Sequence, residues 1–166
     1  MIRLTLCTLM LSATAAAADL TVRFEEGAPK DRFTLTNTGD CALPAMVVTL
    51  DLGTAPAGLI FDVTGAGAGV QVFQPFEVVA GADALIEVPR VLDGDTAVRL
   101  RLSGLAAGAD VAFTVDVDDT GGGREITVTG SEIAGASLRV ALGGGMQSGV
   151  MDATARATVP LDACTS

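Results

Sequence analysis

Apolar and polar residues alternate with a period of two over much of the chain, most clearly in VAFTVDVDD at residues 111–119. Alternation of β-branched and aromatic residues with polar ones is typical of a strand that has one buried face. Three glycines at residues 121–123 interrupt the pattern before it resumes. The sequence therefore predicts a β-hairpin whose second strand covers residues 125–129.

The register of this hairpin follows from its apolar positions. Pairing Asp119 with Arg124 across the loop puts the apolar residues of both strands on the same face of the hairpin. The cross-strand pairs are then Val117 with Ile126, Val115 with Val128, and Asp118 with Glu125.

The same alternation predicts strands along the rest of the chain, separated by turns rich in glycine, aspartate and proline. No helical period of comparable length competes. The predicted fold is all-β, an antiparallel two-sheet β-sandwich of jelly-roll or Ig-like type with about nine to eleven strands. The further strands are expected at residues 20–25, 33–35, 46–52, 59–64, 70–79, 84–90, 97–102, 137–142 and 151–161.

The first 18 residues have the pattern of a signal peptide. Arg3 precedes an apolar run that closes on three alanines before Asp19. The run is too short to span a bilayer as a helix, and no later segment reaches the required length of about 20 apolar residues. We expect residues 19–166 to be a single β-sandwich domain, secreted or periplasmic and not inserted in a membrane.

Composition narrows the possible functions. Ten basic and twenty acidic residues give a formal net charge of −10, which disfavours nucleic acid and anionic membranes as partners and favours cations. The chain has no His, so Ser-His-Asp catalysis and His-ligated zinc are excluded. It also has no Trp or Tyr, the side chains that commonly stack on sugars. We therefore expect a protein that is not an enzyme.

Two cysteines, Cys41 and Cys164, remain once the signal peptide with Cys7 is removed. An even number of cysteines in an exported protein favours a disulfide, so we expect Cys41 and Cys164 to be bonded. Two unpaired thiols are the alternative.

Carboxylates crowd the tip of the predicted hairpin. Asp116 and Asp118 share one face of the strand, and the predicted register brings Glu125 opposite Asp118. Opposed like charges destabilise a sheet unless a cation intervenes or one group takes up a proton. Oxygen ligands of this kind suit calcium, so the predicted metal site consists of Asp116, Asp118, Asp119 and Glu125, completed by loop carbonyls.

An alternative interpretation makes these residues solvated charges that keep an edge hairpin from pairing with other chains. Asp62, Asp93 and Asp95 are lesser candidates for a cation site, and an ordinary turn explains them equally well.

Three segments of the chain carry a family resemblance: FDVTGAGAGVQVFQPFEVVAG (residues 61–81), GLAAGADVAFTVDVDDT (residues 104–120) and GSEIAGASLRV (residues 130–140). They resemble the core-protein domain of the sponge aggregation factor and its secreted bacterial relatives. The resemblance implies a non-enzymatic structural or adhesion-type module, with calcium as cofactor and an extracellular glycan or surface-assembly protein as partner. The chain departs from the family in having no N-glycosylation sequon. A glycan-binding or glycan-active extracellular protein is the alternative.

Overall fold

A computed structural model describes residues 18–64, 73–120 and 128–161, and in them the chain forms ten strands in two antiparallel sheets. This confirms the predicted all-β sandwich. Two short 3₁₀ helices, Leu52–Thr54 and Ala82–Ala84, lie between strands. The strands are β1 Ala18–Glu25, β2 Asp31–Asn37, β3 Met46–Asp51, β4 Leu59–Asp62, β5 Glu77–Ala80, β6 Ala97–Leu102, β7 Asp110–Asp119, β8 Ser137–Leu142, β9 Gly145–Val150 and β10 Arg156–Leu161.

Strand β7 is the most connected element of the fold. The first sheet has the order β10-β1-β2-β7-β4, and β5 also pairs with β7. Along β7, the first six residues pair with β2, the middle residues with β5 and the last four with β4. The second sheet has the order β6-β3-β8-β9. Because β7 has neighbours along its whole length, its residues are held inside the first sheet.

The two sheets enclose one apolar core. Alternate residues of each strand point into it, and Leu20, Val22 and Phe24 of β1 are at most 3% exposed. Phe33 of β2 and Phe113 of β7 stack with ring centroids 5.1 Å apart. This burial of alternate apolar residues is the main stabilising contribution to a sandwich of this kind.

The sheets also approach each other at the edge strands β9 and β10. A Cβ atom added at Gly149 would lie 2.7 Å from the carbonyl oxygen of Thr158, a distance that side-chain carbons do not tolerate. On β10 the inward residues Ala157 and Val159 are buried. Small residues therefore permit the close approach of the two sheets on this side.

Several predicted strands are confirmed, and some are wrong. Residues 84–90 form no strand but follow the helix Ala82–Ala84. Residues 151–161 are not one strand, because a turn precedes β10 in which the Asp152 carboxylate accepts hydrogen bonds from the amides of Thr154 and Arg156. Strand β9 was not predicted. The strand predicted at residues 70–79 is present only as β5, and its first three residues lie outside the described part of the chain.

The predicted hairpin register is wrong at Val115. This residue is aligned with Asp31 of β2, and Val128 lies outside any strand. The physical reason is that, in the described part of the chain, the distant strands β2, β4 and β5 pair with β7. Arg124, Glu125 and Ile126 lie outside the described residues. Within the described ranges, no helix has both the length and the apolar character needed to cross a bilayer.

Candidate functional site

The predicted metal ligands on β7 divide between its two faces. Val115 and Val117 point into the core and are buried, so strand alternation puts Asp116 and Asp118 on the outward face of the first sheet and Asp119 on the opposite face. Asp116 is nevertheless only 8% exposed. It is therefore not a solvated charge on an edge hairpin, and for this residue the alternative interpretation is wrong.

Asp116 is covered by residues from two other parts of the chain. Asp62 of β4 lies directly opposite it in the β4–β7 register. The side-chain amide of Gln74 donates a hydrogen bond of 2.8 Å to Asp116 Oδ2. The second polar atom of that amide, Gln74 Oε1, is buried and makes no hydrogen bond. Burying a carbonyl oxygen without a hydrogen-bond donor costs free energy. The surroundings of Asp116 and Gln74 therefore lack hydrogen-bond donors or positive charges.

Asp62 is even more deeply placed, with 1% of its surface exposed. Its Oδ2 atom is buried without any hydrogen-bond partner. The nearby Asp93 carboxylate accepts hydrogen bonds from the amides of Val63 at 3.2 Å and Thr64 at 3.3 Å. Burial and then the Asp93 side chain favour the protonated form of Asp62.

Asp31 joins the group from β2. It is 2% exposed, and its carboxylate accepts hydrogen bonds of 3.0 Å from the amides of Gly27 and Val117. The bond from Val117 extends the hydrogen bonding between β2 and β7 beyond Asp31, the residue at which β2 begins. We call the five residues gathered here the acidic cluster: Asp31, Asp62, Asp93, Asp116 and Asp118.

Burial and mutual repulsion shift the titration of this cluster. Desolvation raises the pKa of Asp116 to about 7, assisted by repulsion from Asp31, Asp118 and Asp62. Desolvation is also the main cause that raises the pKa of Asp62 to about 6, followed by the hydrogen bond to Asp93. The pKa of Asp31 rises to about 6, again chiefly through burial. At neutral pH the cluster therefore holds protons that ordinary aspartates have lost.

The donor chemistry of the cluster fits a hard cation. Its atoms are carboxylate and amide oxygens, two of them buried without a partner, and oxygens are the ligands that calcium takes in proteins. Within the described part of the chain, however, no three such side chains converge closely enough to hold a metal ion. The calcium site stays a prediction, and Glu125, one of its predicted ligands, lies outside the described residues.

Sequence reasoning missed Asp31 and Gln74 and gave Asp62 and Asp93 only as lesser candidates. No local signal identifies them, because β2, β4 and the segment with Gln74 meet β7 only through long-range contacts. The turn interpretation is confirmed for Asp95, whose carboxylate accepts a hydrogen bond of 2.8 Å from the amide of Leu92.

Cys41 follows β2 and packs, partly buried, against the core. Cys164 lies outside the described residues, so its pairing with Cys41 stays a prediction.

Comparison with known proteins adds little to this description. No family model and no curated protein matches the chain. Among solved structures, a family GH18 chitinase from Chromobacterium violaceum aligns with a TM-score of 0.36 and 20% sequence identity. The alignment covers 83% of this chain and 19% of the chitinase chain. At that level of similarity the alignment carries no argument about function.

Proposed function

We propose that this protein is an extracellular, non-enzymatic structural or adhesion-type module that acts by binding, and that calcium rigidifies it at the acidic cluster. The observation that carries the proposal is the crowding of buried carboxylates around Asp116, with Asp62 Oδ2 and Gln74 Oε1 unpartnered. An arrangement of this kind is destabilising for the empty protein. A divalent cation would offset the repulsion.

Asp116, Asp118 and Glu125 are the proposed ligands, together with backbone oxygens of the loop at residues 121–123. Asp118 is adjacent to Asp116 on the outward face of β7. Asp119 lies on the other face, so its part in the site stays a prediction. Calcium and protons would compete for the same oxygens, because burial and then repulsion from the neighbouring carboxylates raise the pKa of Asp116, and a cation would offset that repulsion.

Thermal unfolding tests the calcium site. Extracellular calcium sites have dissociation constants of about 10⁻⁴ to 10⁻³ M, so a hundredfold excess should add about 2.7 kcal/mol to the free energy of unfolding. For a domain of this size the melting temperature should rise by about 5 to 10 °C. The measurement compares the exported protein in chelator and in calcium at pH 8 and fixed ionic strength, so that the carboxylates are ionised and screening is constant.

Matched variants locate the effect. The double variant Asp116→Asn with Asp118→Asn should lose the calcium-dependent shift. Asp40→Asn with Asp83→Asn, which removes two exposed aspartates, should keep it. An unchanged melting temperature of the native protein in calcium contradicts the metal site, and an equal shift in the first double variant moves it elsewhere.

Adhesion is tested separately. Beads coated with the exported protein should aggregate in calcium and disperse in chelator, and beads coated with the variant of Asp116 and Asp118 should stay dispersed. The rival function, a glycan-active protein, is examined by incubation with a panel of polysaccharides. Turnover of any of them would overturn the non-enzymatic proposal.

A further inference from the structure

Strands β10, β1 and β2 present a polar outward face on the first sheet. Inward positions of these strands are apolar and buried, and the alternate residues lie on the outward face, where Thr21 is itself only 7% exposed. The outward residues form cross-strand rows and line an open depression of about 550 Å³. We call this surface the threonine-arginine face, formed by Thr21, Arg23, Glu25, Arg32, Thr34, Thr36, Thr38, Arg156 and Thr158.

One row of the face consists of threonines. Thr21 is aligned with Thr158 on one side and with Thr36 on the other. The hydroxyl oxygens of Thr21 and Thr158 lie 3.2 Å apart, and the Thr36 hydroxyl donates a hydrogen bond of 2.6 Å to Asp110 Oδ1. The Thr21 hydroxyl is buried and lies 3.4 Å from the Thr38 hydroxyl, so Thr36 and Thr158 are the members of the row that a ligand reaches. A hydroxyl both donates and accepts hydrogen bonds, which matches a ligand that itself carries hydroxyl groups.

The neighbouring row places two arginines against each other. Arg23 of β1 is aligned directly with Arg156 of β10, and Arg32 of β2 lies one row further on, opposite Glu25. Opposed like charges destabilise a sheet when nothing lies between them. Three of the ten basic residues of the chain lie on this face, and two of them are directly opposed.

These guanidinium groups keep donors for a ligand. Arg23 pairs with Glu25 at 3.2 Å, but both side chains are about half exposed, and such surface pairs are weak and readily exchanged. Among the described residues, Arg32 makes a long bond of 3.4 Å to the Thr34 hydroxyl and no ion pair. The Arg156 guanidinium makes no ion pair with any described residue.

Hydrogen bonds from Thr154 lower the pKa of the nearby Asp152 carboxylate. Electrostatic attraction to the Arg156 guanidinium lowers that pKa further. That carboxylate accepts hydrogen bonds from the hydroxyl of Thr154 at 2.6 Å and from its amide at 2.8 Å. It is therefore committed to the turn before β10.

We propose that the threonine-arginine face binds an acidic polysaccharide, with an oxyanion of the polymer, a carboxylate or a sulfate, held between Arg23 and Arg156. Guanidinium groups bind carboxylates and sulfates through paired, charge-assisted hydrogen bonds. Neighbouring sugar hydroxyls would bond to the threonine row, which lies two residues, about 6.6 to 6.8 Å, along the strands from the row of Arg23 and Arg156. This site is separate from the acidic cluster and does not depend on calcium.

Calorimetric titration in chelator tests the inference, since the chain has no Trp or Tyr to serve as a fluorescent reporter. The exported protein is titrated with polygalacturonate, dextran sulfate, neutral dextran and polyglutamate. Arg156→Gln and Arg23→Gln should each weaken binding of the acidic polysaccharide about tenfold, equivalent to about 1.4 kcal/mol. Arg99→Gln is the matched control, because Arg99 is an exposed arginine on β6 of the other sheet.

Binding of polygalacturonate alone identifies a carboxylate as the oxyanion, and binding of dextran sulfate alone identifies a sulfate. Equal binding of polyglutamate rules out recognition of a sugar polymer, and equal binding of neutral dextran rules out the oxyanion. Failure of both acidic polysaccharides to bind overturns the inference, and so does a loss in Arg99→Gln as large as in Arg156→Gln. Because the titration is done in chelator, its outcome does not bear on the calcium proposal, which the melting experiment tests separately.

Discussion

Single aspartates carry most of the unusual chemistry of this molecule. Asp62 and Asp116 face each other across two paired strands, and both are almost fully removed from solvent. Burial is the main cause that raises the pKa of each residue. Together they hold protons at a pH where free aspartate is ionised, because burial and repulsion both penalise the charged form.

The shifted titration predicts that stability falls as pH rises. The folded protein has a pKa of about 7 for Asp116 and about 6 for Asp31 and Asp62, against an ordinary value of 3.8. Between these values the folded state binds more protons than the unfolded state, so its free energy of unfolding decreases with increasing pH. In chelator, the melting temperature at pH 5.5 should exceed that at pH 8 by about 3 to 8 °C.

Asp62→Asn separates this effect from the general repulsion of an acidic chain. The amide keeps a donor for Asp93 and removes one buried charge, so the variant should melt higher than the native protein at pH 8 and depend less on pH. Asp40→Asn, an exposed change of equal charge, should leave the pH dependence almost unaltered. If both variants respond alike, the pH dependence comes from net charge and not from the cluster.

At the scale of elements, residue size determines how closely the two sheets approach each other. Gly149 of β9 lies against the backbone of β10, where a Cβ atom would stand 2.7 Å from the Thr158 carbonyl oxygen. Gly145 begins the same strand, and a Cβ atom there would lie 3.7 Å from the nearest atom, the Leu142 carbonyl oxygen. Glycine is therefore required at residue 149, near the end of β9, and is not required at residue 145, where the strand begins.

Gly149→Ala should destabilise the fold by about 1 to 3 kcal/mol, because overpacking against backbone atoms forces the strands apart. The melting temperature should fall by about 3 to 10 °C. Gly145→Ala is the control in the same strand and should change it little. Equal stability of the two variants would contradict the close approach of β9 and β10.

At the scale of the whole molecule, long-range polar contacts hold the strands together at one end of the first sheet. The buried Asn37 side chain donates hydrogen bonds to the carbonyl oxygens of Cys41 at 2.8 Å and Leu105 at 3.0 Å. The amide of Thr38 bonds to the Asp19 carbonyl oxygen, and β10 ends at Leu161, opposite Ala18. The loop with Cys41 and the segment that follows β10 therefore leave the same end of the first sheet.

This placement predicts the consequence of removing the disulfide. Cys164 follows Leu161 by three residues, a reach of about 10 Å when extended. Closing a loop of about 100 residues stabilises by up to about 4.7 kcal/mol in the chain-entropy model. Cys41→Ser with Cys164→Ser should therefore lower the melting temperature by about 5 to 15 °C.

Peptide mapping without reductant should recover Cys41 and Cys164 in one linked pair. Recovery of both as free thiols from the exported protein would contradict the bond. The control is the native protein melted with and without reductant, which should reproduce the loss seen in the double serine variant.

The sequence by itself determined which residues face the core, and the tertiary structure decided which strands meet. Period-two alternation located β1, β2, β3, β6, β7 and β8, because burial of one face requires it. The same pattern contains no information about neighbours, so it paired β7 with the next segment, whereas β2, β4 and β5 are its described partners. Strand β9 has no alternation at all and exists because β8 provides its pairing edge.

The same distinction between local pattern and long-range pairing applies to the candidate site. Crowding of Asp116 and Asp118 was predictable, since residues two apart on a strand share a face. The burial of Asp116, the opposed Asp62 and the covering Gln74 were not, because each comes from a distant part of the chain. Local patterns set the direction of a side chain, while long-range strand pairing sets its surroundings and with them its charge.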